Sequence, residues 1–228
     1  MPIQIDRRYL LLSSAVTASL ALSGCASLPG FSLTEAIRRL LTLSSQYAFA
    51  FLLQPGGFYD SSVARISLPD RLGGHNGSSF LSAILQSRQF RDRLQRQLNR
   101  AAEKGAERAA PVVAAAVRDV SIEDAAGILR GGPSAATIFL RRKMGTSLLE
   151  PMLPGISEGL RLFDDQVIGK AVQSVAGFDL AGLAGELTRK VDDAIWAAIG
   201  QEEAAIRANP QKTNDPLLIG VLGIGANF

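Results

Sequence analysis

From Ser32 onward the apolar residues recur mostly at steps of three and four, and no long run alternates apolar with polar. Steps of three and four put side chains on one face of an α-helix, whereas a half-buried strand needs a period of two. The pattern therefore predicts an all-α fold: a single multi-helix, bundle-like domain with an irregular loop near residues 55–79. With 47% apolar and 20% charged side chains in 228 residues, the chain carries enough apolar surface to close such a core.

The first helix is expected to carry Leu33, Ile37, Leu40, Leu41, Ser44 and Ala48 on one stripe, with Ser32 or Thr34 as its start and Pro55-Gly56-Gly57 as its stop. Tyr47, Phe49 and Phe51 are expected to widen that face as core packing, with a partner groove as the alternative. Val63, Ile66 and Leu68 read as a short extended piece before Pro69, and Gly73 to Ser79 as a loop holding His75. A long helix from about Phe80 to Glu107 turns Ile84, Phe90, Leu94, Leu98 and Ala101/Ala102 inward. It turns Arg88, Arg91, Arg93, Arg96, Arg100, Lys104 and Arg108 mostly outward. That basic face is either a surface for anionic lipid, glycan or an acidic partner, or a solvated face with pairs such as Asp92 and Arg96.

Pro111 is expected to restart the chain into a separate helix over Val112 to Val120. Ser121-Ile122-Glu123-Asp124 has the form of a capping box opening a short helix that stops at Gly131-Gly132. Pro133 and Ser134 begin another helix, which carries Ile138, Phe139, Arg141, Arg142, Leu148 and Leu149 to Pro151. A glycine corner before a helix can hold a phosphate, but no GxxxxGK[ST] pattern accompanies this one, so it reads as a tight structural turn. Softer segments around Ile156 to Val175 lead to a last strong helix with Leu187, Val191, Ile195, Ile199 and Ile206 on one stripe, ended by Asn209-Pro210. On it, Glu203–Arg207 and Arg189–Asp193 have salt-bridge spacing rather than that of a catalytic carboxylate pair. Residues 216–228 form an apolar C-terminal tail, too short to span a bilayer, which either packs on the helices or serves as a docking segment.

One cysteine and one histidine exclude an internal disulfide and leave no Cys/His cluster for structural zinc. No metal and no cofactor are expected. The formal net charge of +3 is nearly balanced, so nucleic acid is not expected as a partner.

At the N-terminus Arg7 and Arg8 precede an uncharged run from Tyr9 that ends at Leu22-Ser23-Gly24-Cys25. The run falls short of the roughly 20 residues needed to cross a bilayer and reads as a cleaved export signal. Leu22-Ser23-Gly24-Cys25 resembles the bacterial lipobox, which implies that the sulfur of Cys25 receives a diacylglycerol and becomes the new N-terminus. Asp6-Arg7-Arg8-Tyr9-Leu10-Leu11 also resembles the twin-arginine export motif, and the general secretory route stays open beside it. The expected organisation is a signal peptide over 1–24, a lipidated tether over 25–32, a helical domain over 33–215 and the apolar tail. The expected address is the bacterial envelope, as a lipoprotein facing the periplasm; Ala26 after the cysteine favours the outer membrane.

From about Leu33 to Pro210 the chain resembles the DUF4197 family of uncharacterised bacterial envelope proteins. The likeness rests on Gly56-Gly57-Phe58 with Arg65-Ile66-Ser67-Leu68-Pro69, on Leu98-Asn99-Arg100-Ala101-Ala102-Glu103, and on Ser121 to Leu129 with Gly131-Gly132 and Ala136-Thr137. Phe139-Leu140-Arg141, Glu202-Glu203, Ile206-Arg207 and Asn209-Pro210 complete it. Departures are local: the Gly73 to Ser79 loop looks inserted, Leu98 stands for a usual Met, and Ala194-Ile195-Trp196 replaces a Gly-Leu-Phe-like stretch. The resemblance implies a fold and an address, and brings no reaction or catalytic residue.

Two functions follow. A non-enzymatic, lipid-anchored binding or scaffold module would use the basic helix toward an envelope protein, anionic lipid or glycan. A small-ligand binder or envelope enzyme would build a polar site from Asn99, Arg100, Glu103, Asp124, Thr137, Arg141, Glu203 and Arg207. For those eight the alternative is an interhelical network that fixes helix register. The oligomeric state is left open by the sequence.

Overall fold

The computed structural model describes residues 32–68, 87–161 and 180–225. The signal segment with Cys25, the Gly73 to Ser79 loop with His75, Phe80, Ile84 and residues 162–175 lie outside the described residues. Among the described residues the chain folds into eight α-helices and one 3-10 turn, with no strand.

Helix α1 (Leu33–Leu52) begins where Ser32 Oγ accepts a hydrogen bond from the Glu35 amide at 3.3 Å. Ile37, Leu40, Leu41, Ser44 and Ala48 are buried as expected, whereas Leu33 at the first turn is 41% exposed. The aromatic trio does not share one face. Phe49 enters the core, while Tyr47 and Phe51, one turn apart and about half a revolution away, are 42% and 44% exposed. Arg38 ties α1 to the end of a later helix by donating to the Val117 and Val120 carbonyls.

After α1 the chain doubles back into α2 (Gly57–Asp60). A β-carbon at position 57 would lie 2.3 Å from the Phe51 carbonyl oxygen, so only glycine permits this return. The extended piece expected over Val63 to Leu68 forms no strand. Its backbone is held instead by the buried carboxamide of Asn99, whose Oδ1 accepts from the Ile66 amide (2.9 Å) and whose Nδ2 donates to the Ile66 carbonyl (3.0 Å).

The expected break at Pro111 does not occur: α3 runs without interruption over Arg88–Asp119. The pyrrolidine ring withdraws a hydrogen bond from the Glu107 carbonyl, but Pro111 and Glu107 both lie on the exposed side, where water can serve that oxygen. The capping box also shifts. Asp124 itself caps α4 (Ala125–Leu129), its Oδ1 accepting from the Gly127 amide at 2.7 Å. Helix α5 (Ala135–Met144) stops at Gly145, whose positive φ of 54° turns the chain out of the helix, rather than at Pro151. Helix α6 (Leu149–Leu160) then takes Pro151 into its first turn, where amides need no helical acceptor, and carries an exposed Pro154 inside it.

Helix α7 (Leu180–Ala208) buries Leu187, Val191, Ile195, Ile199 and Ile206 and ends before Asn209-Pro210. A 3-10 turn (Pro210–Thr213) leads to α8 (Pro216–Gly225), which packs on α1 with Leu217 and Leu218 buried. Helices α1 and α7 pair along one side of the core and α3 and α6 along the other, the latter pair sharing the largest helix contact. Small residues permit it: a β-carbon at Gly155 would lie 2.4 Å from the Lys104 carbonyl oxygen, and one at Gly159 would lie 2.5 Å from Ala101 Cα.

Candidate functional site

The eight polar residues singled out in the sequence separate into a closed set and an open one. Glu203 and Arg207 sit one turn apart on α7, at the corner where α4 ends and α5 begins. Glu203 has 0% of its surface exposed, and both oxygens are occupied. Oε1 accepts from the Ala136 amide (3.0 Å) and Arg207 Nε (2.8 Å), and Oε2 from the Thr137 amide and hydroxyl (2.7 Å each). Arg207 spends its other nitrogens on the Leu129 (2.8 Å) and Ile128 (3.1 Å) carbonyls. A carboxylate thus meets the positive end of α5 and a guanidinium the negative end of α4, satisfying amides and carbonyls that helix ends leave free. The anion position at the Gly131-Gly132 corner is filled by the protein's own Glu203.

Arg141 leaves α5 to meet Asp192 Oδ2 at 3.1 Å and Asp193, while Trp196 Nε1 donates to Asp192 Oδ1 at 3.0 Å. Asp193 therefore pairs across helices with Arg141, not along α7 with Arg189 as its spacing suggested. Burial pushes the Asp192 carboxyl above its ordinary range, against the pull of Arg141 and Trp196. Asn99 clamps Ile66 and also donates to the Gln95 carbonyl at 2.7 Å, and Asp124 caps α4. Six of the eight groups, Asn99, Asp124, Thr137, Arg141, Glu203 and Arg207, are thus engaged in holding elements together.

Arg100 and Glu103 differ. Both line an open groove of about 690 Å³ between α2, α3 and α6, within the size range of small-molecule sites. Glu103 Oε1 accepts from the Gly56 amide at 2.9 Å, which fixes the carboxylate at the foot of α2. Burial raises the Glu103 carboxyl above its usual range, partly offset by that amide and by Arg100. Arg96, Arg100 and Lys104 follow one another at one-turn steps along α3, and Glu158 on α6 and Arg161 just past its end line the same groove. At the α2 wall Tyr59 is held between two guanidiniums, Arg96 at 4.1 Å and Arg65 at 4.7 Å from its ring centre. Its hydroxyl donates to Asp92 Oδ1 at 2.5 Å, and this bond, with Arg96, holds the Asp92 carboxyl low.

Sequence reasoning reached the α3 wall through the basic helix but missed Tyr59, Asp60, Glu158 and Arg161. The α6 residues were hidden by the two prolines, which made a helix read as soft chain; nothing local marks Tyr59 or Asp60. The expected Asp92–Arg96 pair forms at 2.9 Å.

Among the described residues no His, Cys, Asp and Glu side chains gather in a group fit to hold a metal ion, and no helix is long and apolar enough to cross a membrane. No curated protein and no solved structure matches the chain. The family model described as "Protein of unknown function (DUF4197)" matches residues 27–223, nearly the whole chain, which therefore belongs to that family.

Proposed function

We propose that the chain is a non-enzymatic binding module of the bacterial envelope, anchored by a lipid on Cys25 and taking its ligand in the groove between α2, α3 and α6. The anchor rests on the lipobox-like Leu22-Ser23-Gly24-Cys25, and Ala26 favours the outer membrane. One observation carries the binding role. Of eight polar groups that could have formed a reactive site, six are consumed in internal bonds, and the two left open, Arg100 and Glu103, share one groove with further charges. The hydroxyl–carboxylate pair at its wall, Tyr59 with Asp92, is held by Arg96 as a structural contact, which supports recognition rather than a reaction as the role of the groove. Its ligand carries an anionic group for the α3 cations.

The test uses full-length protein in cells. A photo-crosslinking side chain replacing Lys104 at the groove is expected to yield a discrete adduct that Arg100→Glu abolishes, whereas the same side chain at exposed Arg91 on α3 yields none. A palmitate label is expected on the wild type and absent from Cys25→Ser. Equal adducts from both positions would remove the groove from the proposal, and an unlabelled wild type would remove the anchor.

A further inference from the structure

The charges lining the groove are not of one sign. On α3, Glu103 stands among Arg96, Arg100 and Lys104; Glu158 stands in the last turn of α6, with Arg161 capping its end; on α2, Asp60 faces the same space. Two of the α3 cations already have counter-ions: Arg96 pairs with Asp92 at 2.9 Å and Lys104 with Glu107 at 2.9 Å. The cations left to attract a ligand are Arg100 and Arg161, which form no ion pair with any described residue; the same holds for the carboxylates Asp60 and Glu158.

A polyanion laid along the α3 row would bring negative charge against Glu103, Glu158 and Asp60, and like charges brought together in a partly desolvated site repel. A lone ammonium would meet the arginines. A molecule with both charges satisfies both sets at once, because neighbouring turns of α3 set opposite charges about 5–6 Å apart. Resting on the reading of this groove as the binding site, we infer that it takes a small zwitterion, with a phosphate or carboxylate at Arg100 and Arg161 and a protonated amine a few bonds away at Glu103 and Glu158.

Two features support this placement. Glu103 spends one oxygen on the Gly56 amide and leaves the other without a hydrogen bond to a described residue. Burial also makes its charged form costly, so an arriving ammonium relieves that cost where a second anion would add to it. Two sources share this chemistry: a phosphoethanolamine lipid headgroup and the termini of a short peptide.

Isothermal titration of the full lipoprotein in a neutral maltoside detergent tests the inference, with O-phosphoethanolamine, glycylglycine, inorganic phosphate and ethanolamine as probes. One of the two zwitterions is expected to bind at least about tenfold more tightly than phosphate or ethanolamine at matched ionic strength. The tighter one names the source. Arg100→Gln is expected to weaken every anionic probe, while Glu158→Gln weakens the zwitterion roughly fivefold and leaves phosphate unchanged or tighter. Phosphate binding as tight as the zwitterion, lost in Arg100→Gln, would overturn the inference and keep the groove as an anion site. Absence of binding by all four probes would overturn the inference; the crosslinking adduct then decides whether the groove itself survives.

Discussion

Two glutamates show how one residue type becomes structure in one place and a candidate site in another. Glu203 lies at the α4–α5–α7 corner with no exposed surface and four hydrogen bonds to its two oxygens; Glu103 lies in the α2–α3–α6 groove with one bond, from the Gly56 amide. Both accept a backbone amide and both have arginine in reach along their helix. The difference is completeness. At the corner every donor aimed at the carboxylate belongs to the protein, and its partner Arg207 is likewise spent on two carbonyls. In the groove, valence is left for something else. Saturation of hydrogen-bonding capacity, rather than charge or conspicuous sequence, separates the two roles.

The comparison is broken most forcefully by removing Glu203. Glu203→Ala leaves the half-buried Arg207 with its two carbonyl bonds but no counter-ion, and frees the Ala136 and Thr137 amides. It is expected to cost about 3–5 kcal/mol of stability, measured by urea denaturation of the folded chain. A loss under about 1 kcal/mol would mean that the corner is wetter and less committed than its geometry shows. Asn99→Ala follows, at about 1–3 kcal/mol, because the buried amide and carbonyl of Ile66 both lose their partner.

Gly159→Ala tests whether closed packing and open groove are linked. Alanine gains about 1 kcal/mol of helix propensity over glycine. The new β-carbon would lie 2.5 Å from Ala101 Cα, a backbone atom that no rotamer change can move. Overpacking of this kind costs about 1–3 kcal/mol, so a net loss is expected together with weakened binding as α3 and α6 part. A net gain would show that the helices can slide apart freely.

What was legible in the sequence was what a single periodicity records. The α1 stripe, its Ser32 cap, the α7 stripe with its Asn209-Pro210 end and the Glu203–Arg207 spacing all follow from one helix read alone. Proline misled because its cost depends on which side of the helix it faces. At Pro111 and Pro154 the lost hydrogen bond falls on the exposed side. Equally invisible were partnerships across helices: Asn99 with Ile66, Arg38 with the end of α3, Arg141 with Asp192, and the convergence of α2 and α6 on Arg100 and Glu103. None has a local spacing, since each depends on where a second helix lands. Glu203 and Glu103 therefore look alike in sequence, and what tells them apart is how many donors the fold brings to each.

Groove substitutions mirror those at the corner. Arg100→Gln is expected to change stability by less than about 0.5 kcal/mol, because Arg100 is exposed and forms no ion pair with a described residue. A large loss in thermal unfolding would show it to be a scaffold residue like Arg207.

The smallest expected effect lies at Asp215, an intermediate between the two glutamates: partly exposed, yet bonded on both sides. Its Oδ1 accepts the Leu217 (2.9 Å) and Leu218 (3.1 Å) amides that open α8, and its carboxylate pairs with Arg39 of α1 at 3.1 Å. Burial pushes this carboxyl up, but the Leu218 amide and Arg39 outweigh it and hold the group below its ordinary 3.8. A carboxylate depressed on folding stabilises the fold above its unfolded value, and that contribution is lost as pH falls through the folded value. Asp192, raised on folding, works in the opposite direction. Acidification below the ordinary carboxylate range is therefore expected to lower the hydrogen-exchange protection of Leu217 and Leu218 before that of the α7 core. In Asp215→Asn the starting protection is lower and the acid-dependent step is absent. The same step persisting in the variant would assign it to another carboxylate and leave α8 held by its buried leucines alone.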